Sequence, residues 1–413
     1  MQFMLKVISI AELKPGMYVT RILKQKSDLK IKTGIVRSHP LIDTLQQRGV
    51  KQLEIDVRQS EQSPVEPSAE TPPSEETVSP NPAVKHNPRR KKRPPVDDAI
   101  SIEEEFRQAS ADYDAGLRKM TTLHCDLMMG KNVNIAVLDD VGQTILESVF
   151  RNESAMAVLT RLRDKNTYAF RHSINTAILV TMFAKFLGFA KERIIELTMG
   201  ALLHDLGQAK VPQGILTKPT KLTALERKAV QKHVAHSYQL AKQYPGLTPL
   251  MIDVIVNHHE RLDGSGYPRG LSNNQLSTAA KIIAIVDVYD ALTADRTFKK
   301  GIEPIAALRY LMSQPTLFDA VLVQKFIRCI GVHPVGSIVK LTGEKLALVL
   351  EGNRSQPLRP KIQVFYNAKH QHYITRKKLC LSEHGSTLKI LGSVQPQEHQ
   401  INLSRLLKEQ LSV

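Results

Sequence analysis

The feature that most constrains this chain is a helical periodicity of apolar residues, which begins near Ile100 and continues, with loops, to about Ile330. A region of that length predicts a bundle of helices around a shared core. The 413 residues suggest two or three domains, and the 42% apolar content is sufficient for hydrophobic cores. We therefore expect a mainly α protein with smaller modules on either side of the bundle.

The segments that flank the helical region alternate as β-strands do. Residues 1–57 are predicted to form a small α/β module, and residues 335–413 a small β-rich appendage. The predicted strands are Lys6–Ile10, Lys51–Val57, Ser337–Thr342, Leu346–Glu351 and Lys361–Tyr366, with a turn at Lys14–Gly16 and helices at Pro40–Arg48 and Leu403–Leu411. Residues 58–98 are rich in Pro, Ser and charge with almost no large apolar residue, which predicts a disordered linker. Between linker and bundle, residues 99–139 are expected to form a connecting helical segment.

Composition excludes several classes of protein. No stretch approaches the roughly 18–20 apolar residues that a membrane span requires. The N-terminus shows no cleavage-site pattern, and the three cysteines are too far apart and odd in number for a disulfide framework. We expect a mature cytoplasmic protein with no membrane span.

The net charge of +17 invites a nucleic-acid interpretation. The densest basic run, however, lies among prolines at Lys85 and Arg89–Arg93, with no aromatic residues interleaved for base stacking. We interpret it as a solvated linker and expect no DNA partner. The general positive field would still attract a small anionic substrate.

Histidine and aspartate occur at five places where structure alone would not favour them. His172 shares an apolar helix face, where a lone histidine is more commonly a buried core residue. His204-Asp205 follows the apolar run 199–203, and an aspartate there is costly unless it is paired or metal-bound. His233 lies on the inward stripe of a helix that opens with a capping box at Thr223–Glu226, whereas the nearby His236 is predicted not to be a ligand.

The fourth place is the string His258-His259-Glu260-Arg-Leu-Asp263-Gly264-Ser-Gly266-Tyr267-Pro268. Its histidines end a core helix, and the glycine-rich turn then brings backbone and one phenol close to whatever they hold. The fifth is Asp287, in the middle of an apolar helix where a carboxylate needs a cation. Asp290 is predicted to be a supporting acid that does not bind metal itself.

These residues form a set of imidazoles and carboxylates without thiolates, which suits iron, manganese or similar divalent ions. Two such ions close together can activate water and hold both oxygens of a phosphoryl displacement. Hydrolysis of a phosphate ester is the reaction that such a site serves best. Arg296 and Lys299, beyond the helix of Asp287, are candidates for phosphate contacts, with solvated surface cations as the alternative.

The order and spacing of His204-Asp205-Leu-Gly207, His233, the string from His258 to Pro268, and Asp287-Val-Tyr-Asp290 resemble the HD-GYP family. The resemblance covers roughly residues 140 to 340, and we assign 140–334 to an HD-GYP catalytic domain. It implies an HD-type helical bundle that hydrolyses cyclic di-GMP to pGpG or GMP. The first 57 residues are similar to an N-terminal module often joined to this family.

Carried over by position, the resemblance implies a set of metal ligands and phosphate-contacting residues. The metal ligands would be His172, His204, Asp205, His233, His258, His259 and Asp287, with His204 and Asp205 at the catalytic centre. Tyr267, Arg296 and Lys299 would contact the substrate phosphates. Asp263 and Asp290 would support the ligands. It also implies a cyclic dinucleotide substrate and protein partners such as diguanylate cyclases.

Two positions depart from the family pattern. Gln208 stands where the family usually has a lysine after His-Asp-x-Gly, and Lys210 lies close by. We expect Gly207 to end the helix of His204, which would place the Gln208 side chain beside the metals and the substrate. Tyr168 stands where some members carry a glutamate that binds a third metal, so we expect a dinuclear site.

Three alternatives remain beside a cyclic di-GMP phosphodiesterase. A degenerate member would bind cyclic di-GMP or a partner protein without turnover, as Gln208 would allow. An enzyme specific for cyclic GMP-AMP would differ in its base pocket. A general HD-superfamily nucleotidase is disfavoured by the Gly-Tyr-Pro loop.

Overall fold

The computed structural model describes residues 5–14, 17–24, 34–36, 42, 45–47, 50–56, 100–161, 168–295, 300–383 and 388–411. The predicted linker at 58–98, Pro15 and Gly16 of the predicted turn, and most of the predicted helix at 40–48 lie outside these residues. The chain divides into two compact units, Met1–Lys91 and Lys92–Val413, and each is described by itself.

The first unit is built on a small antiparallel sheet. Its strands are β1 (Leu5–Ser9), β2 (Tyr18–Lys24), β3 (Gly34–Ile35) and β4 (Gln52–Asp56), in the order β1-β4-β2-β3. Ile8, Val19, Leu53 and Ile55 point to one side and form its core with Leu13. Two of these strands were predicted to within one residue at each end, whereas β2 and β3 were not recognised.

The second unit begins as a helical bundle. Its helices are α1 (Ile102–Met128), α2 (Asp139–Leu159), α3 (Tyr168–Leu187), α4 (Lys191–Leu203), α5 (Gln213–Leu216), α6 (Ala224–Gln231), α7 (His233–Ala241), α8 (Pro249–Asn257), α9 (Thr278–Thr293), α10 (Pro304–Met312) and α11 (Ala320–Ile330). Most of them contribute apolar residues to a single core. Helix α3 is buried from His172 to Ala184 and helix α9 from Ile282 to Asp287, so a polar side chain in these stretches faces other protein atoms.

A five-stranded antiparallel sheet and a final helix complete the second unit. The strands β5 (Ile338–Leu341), β6 (Lys345–Glu351), β7 (Lys361–Asn367), β8 (His372–Cys380) and β9 (Ile390–Ser393) pair in the order β8-β7-β6-β5-β9, and α12 spans Leu403–Leu411. Leu346, Leu348 and Leu350 face the helical core, whereas Ala347 and Val349 belong to a second cluster on the opposite face. The middle of this sheet is therefore buried on both sides.

The predicted architecture is confirmed: a mainly α protein with a helical bundle, a small N-terminal sheet and a C-terminal antiparallel sheet. Within the described ranges, no helix has both the length and the apolar character needed to cross a membrane.

Candidate metal centre

Several segments of the bundle bring histidine and aspartate side chains to one point. His172 lies in the first turns of α3, and Asp287 lies in the middle of α9. His204 and His258 occupy the residues that immediately follow α4 and α8. Asp205 and His259 follow these two histidines, and His233 begins α7. All but His259 are buried, and His259 is 21% exposed.

The converging side chains form two groups, in each of which one ligand atom per residue lies within 4.8 Å of the others. The first group contains Asp205, His233, His258 and His259, and the second contains His172, His204 and Asp287. The groups adjoin, because the Nε2 atom of His204 lies 3.5 Å from an oxygen of Asp205 and 3.8 Å from an oxygen of Asp287.

Three of the histidines are oriented by the same local interaction, a hydrogen bond from the ring to a backbone carbonyl. The Nδ1 atoms of His204, His233 and His258 lie 2.6, 2.7 and 2.8 Å from the carbonyl oxygens of Ala201, Val230 and Ile255, three residues earlier in each case. A carbonyl oxygen can only accept, so each Nδ1 carries the proton. The Nε2 atom of each ring is therefore left to face the centre of the cluster.

The resulting arrangement places acceptors against acceptors. The Nε2 atoms of His233 and His258 are 3.2 Å apart, and an oxygen of Asp205 also lies 3.2 Å from Nε2 of His233. The fully buried Nε2 of His204 makes no hydrogen bond within the described part of the chain. Buried acceptors without donors are costly, and a bound cation removes that cost. The donor set therefore fits divalent metal ions.

The ionisation of the cluster also suits cations. Burial would raise the pKa of Asp205 and of Asp287, but the adjacent imidazoles hold both values well below the usual range. Burial lowers the pKa of His259 to about 3, and burial together with the neighbouring rings lowers that of His258. These histidines are therefore neutral near pH 7 while the aspartates are ionised, as metal ligands must be.

The side chain of Asp290 contacts His172 on the side of the ring that faces away from the cluster. Its Oδ2 atom accepts a 2.7 Å hydrogen bond from Nδ1 of His172, whose Nε2 atom lies 2.9 Å from Asp287. Asp290 and His172 are both buried. A carboxylate that fixes the tautomer of a metal-binding histidine in this way strengthens its ligand nitrogen.

The loop after His259 is shaped by a residue whose role was not recognised in the sequence. Glu260 is fully buried and accepts hydrogen bonds from the backbone nitrogens of Arg269 and Leu271 at 2.8 and 3.0 Å. A Cβ on Gly266 would lie 2.5 Å from backbone atoms of residues 259–261, so only glycine fits there. We call this pair of hydrogen bonds from Glu260 to the loop backbone the brace, and its one signal in the sequence is a glutamate inside a turn.

This loop brings Tyr267 to the histidines. Its ring centroid lies 4.5 Å from that of His259 at an interplanar angle of 30°, and its backbone nitrogen donates to the His259 carbonyl. The peptide bond between Tyr267 and Pro268 is cis. Burial raises the pKa of the Tyr267 phenol, so this group stays protonated and able to donate.

Some of the predicted residues lie elsewhere than expected. Asp263 is exposed and accepts hydrogen bonds from the backbone and hydroxyl of Ser265, so it shapes a turn and, in its described contacts, supports no ligand. Arg296 and Lys299 lie outside the described residues.

The expectation that Gly207 ends a helix was wrong. Helix α4 ends at Leu203, and Gly207 lies inside a 3-10 helix, Leu206–Lys210, with Gln208 half-buried beside it. A Cβ on Gly207 would lie 2.1 Å from the His233 carbonyl oxygen and 2.3 Å from the Ser237 nitrogen. Close approach to α7, which carries His233, is what requires glycine here.

Comparison with known proteins agrees with this architecture. A family model described as an HD domain matches residues 156–322, and one described as a domain of unknown function matches residues 5–138. The helices and the His and Asp cluster thus define an HD-domain protein.

Relatives narrow the class. A cyclic di-GMP phosphodiesterase of Pseudomonas aeruginosa is 31% identical over 94% of this chain and 92% of its own length. A cyclic di-GMP phosphodiesterase response regulator of Xanthomonas campestris is 36% identical over 42% of this chain and 46% of its own. A 3'3'-cGAMP-specific phosphodiesterase of Vibrio cholerae is 39% identical over 33% of this chain and 29% of its own. The chain belongs to the HD-GYP family.

Proposed function

We propose that this chain is a metal-dependent phosphodiesterase that hydrolyses cyclic di-GMP to pGpG or GMP. The observation that carries the proposal is the buried cluster of five histidines and two aspartates, in which acceptor atoms face one another. The relative from Pseudomonas aeruginosa, which matches nearly the full length, supports the choice of substrate.

The two groups of the cluster would each hold one ion. Nitrogen and carboxylate ligands without thiolates favour iron or manganese. When bound, such ions supply Lewis acidity and lower the pKa of a water, which makes a nucleophile at neutral pH. No described carboxylate joins either group beyond Asp205 and Asp287, which supports a content of two ions per chain.

The side chains of this protein prepare the site for a phosphodiester. The carbonyls behind three histidines keep their Nε2 atoms directed inward, and Asp290 does the same for His172. Tyr267 presents a protonated phenol beside His259, where it would donate to a phosphate oxygen. Gln208, in the middle of the 3-10 helix, would add a neutral donor, and Arg296 and Lys299 would add positive charge.

Relatives that act on cyclic GMP-AMP suggest this dinucleotide as a second candidate substrate. Three 3'3'-cGAMP-specific phosphodiesterases of Vibrio cholerae are 32–39% identical to parts of this chain. They cover less than half of it, whereas the cyclic di-GMP phosphodiesterase of Pseudomonas aeruginosa covers 94%. Cyclic di-GMP is therefore the substrate we propose, with diguanylate cyclases, which make it, as protein partners.

The test is purification without oxygen, measurement of bound metals, and chromatography of the products formed from cyclic di-GMP and from cyclic GMP-AMP. We expect about two ions of iron or manganese per chain and turnover of cyclic di-GMP. The double variant His204→Ala with Asp205→Ala should lose hydrolysis and at least one ion while keeping its helical content.

A matched pair of variants on α7 controls for nonspecific damage. His233→Ala should lose metal and activity, whereas His236→Ala, three residues later and outside both groups, should retain them. Turnover at the parent rate by the double variant would contradict the proposed centre. Bound metal without hydrolysis of either dinucleotide would favour a degenerate binding protein.

A further inference from the structure

The segment that follows His259 carries a cation that the proposed hydrolysis does not use. Nη1 of Arg261 donates hydrogen bonds to the carbonyl oxygens of His258 and Glu260, at 3.1 and 2.7 Å. The guanidinium also lies over the ring of Phe318, with its Cζ atom 5.2 Å from the ring centroid. Phe318 is buried, so the two carbonyls and this ring together fix the position of the guanidinium.

One edge of this guanidinium remains available in the described part of the chain. Nε and Nη2 of Arg261 donate to no described residue, and Glu260, Asp263 and Asp287 act on the guanidinium electrostatically without forming an ion pair with it. The side chain is half-buried and, like any arginine in a protein, charged. Nε–H and Nη2–H lie in one plane, and a fork of this kind matches two acceptors that lie side by side.

Arg261 has an exposed aromatic ring among its neighbours. Burial lowers the pKa of its guanidinium, and Asp287 and Tyr310 are among the groups that oppose this shift, so both lie near it. The backbone nitrogen of Leu262 donates to the Leu317 carbonyl at 3.2 Å, which holds this segment against the connection between α10 and α11. Tyr310 lies on α10 and is 40% exposed. A fork of two donors and a free aromatic surface therefore occur together, next to the segment that carries His259.

Purine chemistry decides what such a pair of side chains would recognise. Guanine presents its O6 and N7 acceptors side by side, and this is the pair that an arginine fork binds. Adenine presents an N6 donor in place of O6, and this donor would oppose the guanidinium. An aromatic ring stacks on the face of a base, whereas a phosphate has no face to stack. The combination of Arg261 and Tyr310 therefore fits guanine better than adenine or a phosphate.

We infer that Arg261 binds the O6 and N7 atoms of a guanine of the substrate while Tyr310 stacks on that base. The inference rests on the proposed function, since it places one base of cyclic di-GMP beside the metal centre. Arg261 would then determine specificity: a dinucleotide with two adenines would lose the contact, whereas cyclic GMP-AMP would keep it in one of its two orientations.

The experiment is calorimetric titration of GMP, 7-deaza-GMP and AMP into the metal-loaded, full-length protein. 7-Deaza-GMP keeps O6 and lacks the N7 acceptor, so it isolates one contact of the fork. We expect the parent to bind GMP about tenfold or more tightly than either of the others. Arg261→Met should weaken the binding of GMP about ten- to hundredfold and bring the three affinities close together.

Tyr310→Leu, at an exposed position where folding is not at risk, should weaken the binding of all three nucleotides by a similar factor, because stacking tolerates any base. Two variants are matched controls and should bind like the parent. Arg309→Met makes the arginine change at the exposed residue that precedes Tyr310. Tyr373→Leu makes the tyrosine change at a 60% exposed residue of β8.

The comparison of GMP with 7-deaza-GMP on the parent requires no variant, so it remains decisive even if Arg261→Met does not fold. Equal affinities of the parent for the three nucleotides would overturn the inference. So would an Arg261→Met variant that weakens all three by the same factor, as the loss of a phosphate contact would.

Hydrolysis of cyclic di-GMP by the same preparations tests the proposed function separately. A parent that distinguishes the three nucleotides but hydrolyses no dinucleotide would contradict the proposed function and leave the guanine contact in place. A parent that hydrolyses cyclic di-GMP but does not distinguish them would contradict the guanine contact alone.

Discussion

Replacing Asp290 tests how much the metal centre depends on a residue that we expect not to bind metal itself. Its bond to Nδ1 of His172 is 2.7 Å long, and the two side chains are only 4% and 6% exposed. A hydrogen bond to a charged group contributes about 1.5–3 kcal/mol. Asp290→Asn keeps an acceptor and loses the charge, so we expect metal affinity to fall about tenfold, or about 1.4 kcal/mol.

Asp290→Ala should cost more, because it leaves the Nδ1–H of His172 buried without an acceptor. We expect metal affinity to fall about a hundredfold. The assay is competition for Mn²⁺ against a chelator of known affinity, followed by hydrolysis at saturating metal. Asp140→Asn makes the same chemical change at an exposed residue and should behave as the parent. If both Asp290 variants bound Mn²⁺ as tightly as the parent, the supporting role of Asp290 would be refuted.

Three further predictions follow from the described neighbours and the family pattern. Gly207→Ala should lower the free energy of unfolding, measured in urea titrations, by at least about 1–3 kcal/mol, because the added Cβ would overlap the backbone of α7. Gly214→Ala is the control, since a Cβ added there would meet nothing within 4 Å, and equal stability of the two variants would contradict the packing argument. Gln208→Lys should increase kcat/KM by a factor between a few and several tens, whereas Lys210→Ala, at an exposed residue, should leave it nearly unchanged. An unchanged Gln208→Lys variant together with an inactive Lys210→Ala variant would show that Lys210, and not residue 208, acts on the substrate. Arg296→Ala and Lys299→Ala should lower kcat/KM about ten- to hundredfold, through KM, with metal content unchanged, and a loss of metal would show that they are misplaced.

Much of the fold was accessible from periodicity and local signals. Helix α12 begins and ends at the predicted residues, and the capping box at Thr223 and Glu226 is present. The helix predicted through His233 is instead divided at Lys232 into α6 and α7. Strand β8 was missed because it is an edge strand with mostly exposed residues, and therefore lacks the apolar alternation of its neighbours.

In the candidate site too, some residues could be selected from the sequence, whereas the contacts that support them could not. An aspartate within an apolar helix is visible in sequence, which is why Asp287 could be selected. The bond between Asp290 and His172 joins residues 118 positions apart, so it depends on the packing of α3 against α9. The brace made by Glu260 is equally hidden, because its partners are backbone nitrogens, which carry no sequence signature.

The carbonyls that bind the three Nδ1 atoms belong to the last turns of α4, α6 and α8. Last-turn carbonyls have no full set of intrahelical donors, so each histidine completes the end of a helix as well as offering a metal ligand. An aspartate or glutamate at the same position could not donate to such a carbonyl. A change from imidazole to carboxylate ligands, as magnesium would prefer, would therefore require three helix ends to be rebuilt at once. The way these helices terminate thus restricts which metals this protein could acquire by single substitutions.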